Sequence, residues 1–360
     1  MSTNEENFNL KSSFRGTGGI NILMTGGGAP GAAGILNCLK KESTFHITVA
    51  DANPGAVGRW LSQDFETIPP ANDPAFINSV FSICKKKNIH ILLPLVTREL
   101  IPLSKHLNDF KKIGTKVIVS PTDSLETANN KSRLYEFLQK QNIAVPSFKK
   151  VNTISEFTEA IRSLGYPEKN VCFKPSVSNG SRGFRIISDK INELDLLLNF
   201  KPVNTYIDLE NAVRILSMGK FPELLVSEYL PGDEYSVDCL AKNGEPVLII
   251  PRLRKKMING ISVEGEFVND KLLIGYCEEI IKALNLHGNI GIQVKKSDQD
   301  KYLILETNPR VQGTISAALG AGVNLPVLAV KQELNLPITE EEMKVKWGIK
   351  FSRYWSEVFY

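Results

Sequence analysis

The chain has 360 residues, of which 42% are hydrophobic, a size and composition that predict two or three globular domains and exclude fibrous or wholly disordered proteins. The 43 basic and 39 acidic residues leave a net charge of +4 without a basic stripe, which argues against a nucleic acid partner. Five cysteines without a CxxC pair argue against disulfides and zinc, and the absence of a long apolar run predicts a soluble, cytoplasmic protein without a membrane segment.

Apolar runs alternate with helical patterns over residues 19–124, after a polar stretch, residues 1–18, that is typical of a flexible tail. The alternation predicts strands at Ile20–Thr25, His46–Asp51, Ile89–Leu93 and Lys116–Val119, and helices at Pro74–Lys87 and Leu100–Phe110. This order is typical of a parallel sheet with right-handed crossovers. We therefore expect a small Rossmann-like α/β domain here.

The pattern changes after residue 124, and residues 125–337 are predicted to form a second domain with antiparallel strands. Helices are predicted at Lys131–Gln139, Ser155–Leu164 and Lys271–Leu286, and strands at Val171–Lys174, Phe184–Ile187, Leu224–Leu230, Glu234–Ala241, Val247–Arg254, Asn289–Lys296 and Lys301–Thr307. The first two of these strands flank a glycine- and serine-rich loop, which predicts a hairpin lid within a subdomain of residues 147–230. Residues 338–360 are expected to form a closing segment.

A glycine motif follows the first strand and satisfies the sequence pattern for dinucleotide binding. Gly26, Gly28 and Gly31 open a helix, and Asp51 ends the next strand. One interpretation is an NAD site, because glycines let the backbone approach a pyrophosphate at a helix N-terminus. The other is a tight strand-to-helix turn without a ligand, which Pro30 at a first helical position fits. The rest of the chain favours the second interpretation.

The last predicted hairpin carries oxygen-bearing side chains on one face. Glu306 and Asn308 are two residues apart on a strand, and symmetric pairing places Gln293 opposite Ile304 and on the same face. Carboxylate and amide oxygens are ligands for a hard cation such as Mg²⁺. Arg310 is then placed to contact a transferred phosphoryl group. The alternative, a solvated polar face, is disfavoured by the apolar run that precedes Glu306.

A lysine at the end of a predicted strand precedes the lid loop. Lys174 is followed by Ser176–Gly183, whose backbone N–H groups and hydroxyls suit anionic oxygens. This arrangement is typical of a polyphosphate site, although a lysine that extends beside a hairpin turn has the same local sequence. The accompanying motifs favour the phosphate interpretation.

The order of these motifs resembles the ATP-grasp superfamily, in particular one synthetase unit of the carbamoyl phosphate synthetase large chain and stand-alone carboxylate–amine ligases. The resemblance implies a Rossmann-like pre-ATP-grasp domain followed by an ATP-grasp fold of two α+β subdomains. It implies that the nucleotide is contacted by Lys131, Lys174, Ser181, Gly183, Glu228, Tyr229, Leu230 and Glu234. Of these, Glu228–Leu230 resembles the adenine hinge and Glu234 the acid on the ribose.

The same resemblance implies that Mg²⁺, or Mn²⁺, is bound by three residues: Gln293, Glu306 and Asn308. It places Arg310 on the transferred phosphate. Arg252 and Arg254 are candidate clamps for a carboxylate or phosphate, and the alternative for them is a solvated basic run.

The activity that the resemblance implies is ATP-dependent formation of an acyl phosphate from a carboxylate, followed by coupling to an amine. The expected partners are two small molecules, with neither nucleic acid nor membrane, and a homodimer is possible for such proteins. Three alternatives remain open: an enzyme that ends at carboxyphosphate or another acyl phosphate, as in carbamoyl phosphate synthetase; an NAD-dependent oxidoreductase built on Gly26–Asp51; and a nucleotide-binding regulatory module without turnover.

Overall fold

In the part of the chain that the structure describes, three sheets follow one another along the sequence. The computed structural model describes residues 19–178, 180, 182–190, 192–199, 205–258 and 260–360, so the predicted tail lies outside the described residues. Within these ranges, no helix has the length and apolar character needed to cross a bilayer.

The first sheet is parallel, as the alternation of the sequence predicts. Its strands are β1 Ile20–Thr25, β2 Phe45–Asp51, β3 Asp64–Thr67, β4 Ile91–Pro94 and β5 Lys116–Val117. They lie in the order β3-β2-β1-β4-β5. The helices of this part are α1 Ala32–Leu39, α2 Val57–Leu61, α3 Phe76–Lys86, α4 Thr97–Lys105, α5 Leu107–Lys112 and α6 Thr122–Ala128. Because neighbouring strands are parallel, the carboxyl ends of β1, β2 and β4 share one edge, where the glycine motif and the start of α4 lie.

One helix of this region, predicted over Leu100–Phe110, is instead divided into α4 and α5. The division is at His106, whose Nδ1 lies 2.9 Å from the carbonyl oxygen of Pro102. That oxygen is the acceptor that the His106 N–H would use in a continuous helix, and the N–H bonds to the oxygen of Leu103 instead. The sequence pattern also did not reveal α2 and β3, which are too short to show a clear period.

The second sheet contains the predicted hairpin lid. Its strands are β6 Phe148–Val151, β7 Val171–Pro175, β8 Arg185–Ile187, β9 Tyr206–Ile207 and β10 Leu224–Glu228. They lie in the order β6-β10-β7-β8-β9. The helices of this part are α7 Lys131–Lys140, α8 Ile154–Ser163, α9 Glu193–Asn199 and α10 Leu209–Leu216. The antiparallel pairing of β7 and β8 confirms the predicted hairpin.

The third sheet is antiparallel, and it positions most of the predicted site. Its strands are β11 Glu234–Lys242, β12 Glu245–Ile258, β13 Ile261–Phe267, β14 Gly288–Lys296, β15 Tyr302–Asn308 and β16 Lys350–Ser352. They lie in the order β15-β14-β11-β12-β13-β16. Two helices accompany the sheet, α11 Lys271–Ala283 and α12 Leu325–Glu333.

The hairpin of β14 and β15 forms as predicted, but the predicted register is wrong. Gln293 lies opposite Glu306 instead of Ile304, which pairs with Val294. Leu305 is an extra residue on β15 and forms a bulge. The bulge brings Glu306 directly across from Gln293, so the two side chains are closer neighbours than symmetric pairing predicts.

The first and third sheets share one hydrophobic core. Its buried members include Ile22 and Leu36 from the first domain and Leu240 and Ile250 from the third sheet. Leu328 on α12 belongs to the same cluster. The second sheet and its helices have a separate core. The shared core fixes the first domain against the third sheet, while the boundaries at residues 124 and 337 stay predictions.

Candidate active site

Four neighbouring strands of the third sheet bring polar side chains into one row. The register of β12, β11, β14 and β15 places opposite one another, in this order, Arg252, Ser236, Gln293 and Glu306. Glu234 and Asp238 lie two residues to either side of Ser236 on β11, so they share this face. The result is a polar surface that runs across the sheet.

Glu306 is the carboxylate of the predicted metal site, and its two oxygens have different neighbours. Oε1 accepts a hydrogen bond from Asn308 Nδ2 at 3.1 Å, and Oε2 lies 3.6 Å from Lys131 Nζ. Gln293 lies across the strand pair. No cluster of three or more His, Cys, Asp or Glu suited to a metal occurs in the described part of the chain. One carboxylate with two amides instead fits a hard cation that keeps several water or phosphate ligands.

Both lysines that are predicted to contact the nucleotide lie beside this group. Lys131, at the start of α7, donates to the carbonyl oxygen of Ser178 at 2.7 Å, and Lys174 on β7 donates to that of Leu305 at 2.8 Å. Burial, with a smaller contribution from the positive charge of Lys131, lowers the pKa of Lys174 to about 8. The negative charge of a bound anion would oppose both effects and raise the pKa of Lys174 again.

The described part of the lid loop packs on the start of α7. The hydroxyl oxygens of Ser176 and Ser132 are 2.6 Å apart. Gly183 has a φ of +77°, and a Cβ at this position would lie 2.6 Å from Pro175 Cδ, so glycine is required where the loop closes. Ser181, the other loop residue predicted to contact the nucleotide, lies outside the described residues.

The predicted adenine hinge connects the second sheet to the third. Glu228 ends β10, and its Oε1 accepts from the backbone N–H of Ser147 at 2.7 Å. Lys295 Nζ lies 4.9 Å from the centre of the Tyr229 ring, within the range of a cation–π contact. Leu230 is buried. The hinge therefore offers an aromatic and an apolar side chain beside backbone groups, which suits a planar base.

Glu234, the predicted ribose acid, is paired with Arg254. Arg254 Nη1 donates to Glu234 Oε1 and lies 3.5 Å from Gln293 Oε1, while Nη2 donates to the carbonyl oxygen of Gly260. Burial lowers the pKa of Arg254, and the negative charge of Glu234 opposes that effect. Arg254 is buried, whereas the following Lys255 is exposed. The basic stretch is therefore not uniformly solvated.

Arg252 is fully buried and bound on two sides. Its Nε donates to Asp238 Oδ2 at 2.7 Å, and its Nη2 donates to Thr314 Oγ1 at 2.7 Å. The guanidinium carbon lies 5.5 Å from the centre of the Phe351 ring, and Nη1 has no hydrogen-bond partner among the described residues. Asp238 is not among the residues predicted above, although the two-residue period that starts at Glu234 places it on this face.

Arg310 connects the third sheet to the first domain. Its Nε donates to Thr97 Oγ1 at 2.9 Å, and its Nη2 lies 3.4 Å from Asn308 Oδ1. Burial lowers the pKa of Arg310. Thr97 begins α4 at the carboxyl edge of the first sheet. Thr97 is not among the predicted site residues, because no local sequence pattern links it to an arginine so far along the chain.

The groups of the glycine motif are engaged by other groups of the protein. The two carboxylate oxygens of Asp51 accept the backbone N–H groups of Gly28, at 2.7 Å, and Asn53, at 2.8 Å. Gly31 has a φ of +92°, and a Cβ there would lie 2.1 Å from the carbonyl oxygen of Gly313. The motif therefore shapes a turn that packs against the loop after β15, and the Asp51 carboxylate is engaged within that turn.

Comparisons with known proteins agree with this architecture. Residues 220–354 match the family model described as ATP-grasp in the biosynthetic pathway with Ter operon. Residues 22–118 match the model of the PylC-like N-terminal domain.

Among curated proteins, the chain is similar to large chains of carbamoyl phosphate synthase. It is 26% identical over 305 residues to the large chain of Clostridium acetobutylicum, an alignment that covers 81% of this chain and 26% of the relative. It is 24% identical over 327 residues to the arginine-specific large chain of Halalkalibacterium halodurans, with 86% of this chain and 28% of the relative covered. The chain thus spans about a quarter of the length of these relatives.

Solved structures share the fold. N5-carboxyaminoimidazole synthetase from Staphylococcus aureus, complexed with ADP, has a TM-score of 0.67 at 14% identity, covering 89% of this chain and 79% of that one. Biotin carboxylase from Campylobacter jejuni has a TM-score of 0.65 at 15% identity, covering 90% and 73%.

The chain therefore has an ATP-grasp fold, preceded by a region that matches the PylC-like N-terminal domain. Within that class it resembles a single synthetase unit of the carbamoyl phosphate synthase large chain. Both the predicted resemblance and the predicted fold class are confirmed, and nothing in these comparisons supports an oxidoreductase.

Proposed function

We propose that this chain is an ATP-dependent carboxylate–amine ligase that uses a divalent cation, Mg²⁺ or Mn²⁺. The observation that carries the proposal is one contiguous group of three charged side chains and one amide, in which Glu306 contacts Lys131 and Asn308, and Asn308 contacts Arg310. Such a group has positioning charges and no nucleophile, as phosphoryl transfer requires.

Binding of ATP is assigned to the elements around this group. The hinge Glu228–Leu230 would contact the base and Glu234 the ribose, while Lys131 and Lys174 would bind the phosphates. The cation would be held by Gln293, Glu306 and Asn308. When bound, it would neutralise part of the negative charge of the phosphates. The lid loop would exclude water from the phosphates.

In the first reaction, an oxygen of the carboxylate attacks the γ-phosphorus and ADP leaves, which gives an acyl phosphate. Arg310, held by Thr97, would stabilise the charge of the transferred group. In the second, the amine attacks the acyl carbon, inorganic phosphate leaves, and the amine loses a proton to form the amide. A second candidate ends after the first reaction with carboxyphosphate or another acyl phosphate, which the similarity to carbamoyl phosphate synthase favours.

Mg-ATP is expected to stabilise the protein, whereas NAD(H) is not. A ligand at 100 times its dissociation constant adds about 2.7 kcal/mol to the free energy of unfolding, and thermal unfolding with each ligand measures this. A screen for phosphate release, in which carboxylic acids are tested in pairs with amines, then identifies the substrates. Tight NAD(H) binding that is lost in Asp51→Ala would contradict the proposal.

The affinity for Mg-ATP is expected to fall as the pH rises through about 8. Lys174 binds phosphate in its charged form, and its pKa in the free protein is about 8. Lys131 disfavours that charge, while Glu306 and Glu234 favour it. Above this pKa, each pH unit weakens binding by up to about tenfold, because a proton must be taken up.

Calorimetric titration across this range, in buffers of different ionisation enthalpy, measures both the affinity and the proton uptake. Lys174→Arg keeps its charge at every pH used and should remove the dependence. An affinity of the unchanged protein that does not vary with pH, or an equal dependence in Lys174→Arg, would contradict the role of Lys174.

A further inference from the structure

The segment of residues 310–314, which follows β15, is tied to the third sheet at two points. Gln312 Nε2 lies 3.3 Å from Asp238 Oδ1. Two residues further on, Thr314 Oγ1 accepts a hydrogen bond from Arg252 Nη2 at 2.7 Å. Asp238 and Arg252 are themselves an ion pair, in which Oδ2 and Nε are 2.7 Å apart. A series of polar contacts therefore leaves the segment at one residue, passes through the sheet and returns to the segment at another.

Each member of this ion pair divides its polar atoms between its partner and the segment. Asp238 uses one oxygen for Arg252 and the other for Gln312. Arg252 uses Nε for Asp238 and Nη2 for Thr314, and neither side chain of the pair is exposed. Because the cost of removing two charges from water offsets much of their attraction, such a pair adds little net stability. The rigid fork of a guanidinium does, however, fix the directions in which its partners must lie.

The opposite side of the segment packs against the glycine motif. A Cβ at Gly313 would lie 2.3 Å from the carbonyl oxygen of Pro30, so the two backbones are in close contact. At the start of the segment, Arg310 donates through Nε to Thr97 and through Nη1 to the carbonyl oxygen of Val311. The segment that carries Arg310 is thus held on both sides, and on the side of the third sheet its side-chain contacts lead to the buried ion pair.

We propose that Asp238 and Arg252 are positioning residues that hold Arg310 in place for phosphoryl transfer, acting through Gln312 and Thr314. This inference rests on the proposed function, in which Arg310 contacts the transferred phosphoryl group. A guanidinium stabilises the charge of the transition state most when it is already in place before the reaction. Mg-ATP is proposed to be bound by other elements, so loss of this positioning should lower kcat and leave the affinity for nucleotide unchanged.

Thr314→Val tests this role, because it removes the hydroxyl that Arg252 binds and keeps a branched side chain. We expect kcat, measured as ADP release with the substrate pair found in the phosphate-release screen, to fall by about tenfold, the effect of one hydrogen bond to a charged group. The dissociation constant of a non-hydrolysable ATP analogue with Mg²⁺, measured by calorimetry, should change by less than about twofold. Thr314→Ser keeps the hydroxyl and should retain most of kcat.

Thr115→Val is the matched control for the loss of a buried hydrogen bond. Thr115 is buried directly before β5, at the amino end of the first sheet, and its Oγ1 donates to the carbonyl oxygen of Ile89 at 2.7 Å. This variant should lower the unfolding temperature, as Thr314→Val should, but leave kcat unchanged. If Thr314→Val does not fold, Thr314→Ala removes the same hydroxyl and takes its place.

A double-mutant cycle with Arg310→Ala determines whether Thr314 acts through Arg310. If it does, adding Thr314→Val to Arg310→Ala should lower kcat by less than about twofold, since the guanidinium to be positioned is already absent. A full tenfold loss in that background would mean that Thr314 and Arg252 affect the reaction independently of Arg310, and it would overturn the positioning role.

The outcomes for the inference and for the proposed function are distinct. If the unchanged protein releases no ADP with any substrate pair, the proposed function is wrong and the positioning role falls with it. If the unchanged protein turns over but Thr314→Val keeps full kcat, the positioning role alone is wrong. The same conclusion follows if Thr115→Val loses as much kcat as Thr314→Val, or if Thr314→Ser is as impaired as Thr314→Val.

Discussion

Glu306→Gln is expected to abolish cation-dependent ATP turnover while the protein stays folded. Glu306 is the one carboxylate among the three predicted metal ligands, and its Oε2 also lies 3.6 Å from Lys131 Nζ. Glutamine has nearly the same shape but no charge, so it neither attracts a hard cation nor balances the lysine. We expect turnover, measured as ADP release with a saturating substrate pair, to fall by about a hundredfold or more.

A matched substitution tests whether the effect belongs to this site. Glu245→Gln makes the same chemical change at an exposed position where β12 begins, at the other end of the sheet. It should leave turnover unchanged, and both variants should unfold at nearly the temperature of the unchanged protein. Normal turnover of Glu306→Gln across a range of Mg²⁺ concentrations would remove Glu306 from the proposed metal site.

Most of the predicted site residues lie on regular strands, so the sequence pattern is enough to predict which of them share a face of the sheet. A two-residue period places Glu306 and Asn308 on one face, and the structure joins them by a hydrogen bond. The same rule, applied to β11, would have included Asp238. The bulge at Leu305 could not be predicted, since a one-residue insertion in a ladder depends on packing of both strands.

Contacts between the first and third sheets could not be predicted from the sequence patterns, which are local. Thr97 and Arg310 are 213 residues apart, and the packing of the first sheet against the third brings them together. The glycine motif shows the same limit. Its spacing fits a phosphate turn and a packed turn equally, and what distinguishes them is Gly313, which approaches Gly31 from another part of the chain.

Gly31→Ala is expected to destabilise the protein and to impair turnover more than nucleotide binding. Its φ of +92° costs alanine about 1–2 kcal/mol, and the new Cβ would meet the carbonyl oxygen of Gly313 at 2.1 Å. Overpacking of this kind adds about 1–3 kcal/mol. The loop that must move carries Thr314, the partner of Arg252, and follows Arg310 directly. Denaturant unfolding and steady-state kinetics measure the two effects.

Gly114→Ala isolates the contribution of the clash. Gly114 also has a positive φ, +82°, but a Cβ there would meet no atom within 4 Å. Its cost should therefore be the backbone strain alone, about 1–2 kcal/mol, with normal turnover. If the two variants lose equal free energy of unfolding, the close approach of Gly31 to Gly313 does not constrain how the glycine motif packs against the loop after β15. If Gly31→Ala is the less stable but keeps full turnover, the loop after Arg310 does not have to be held in place for the reaction.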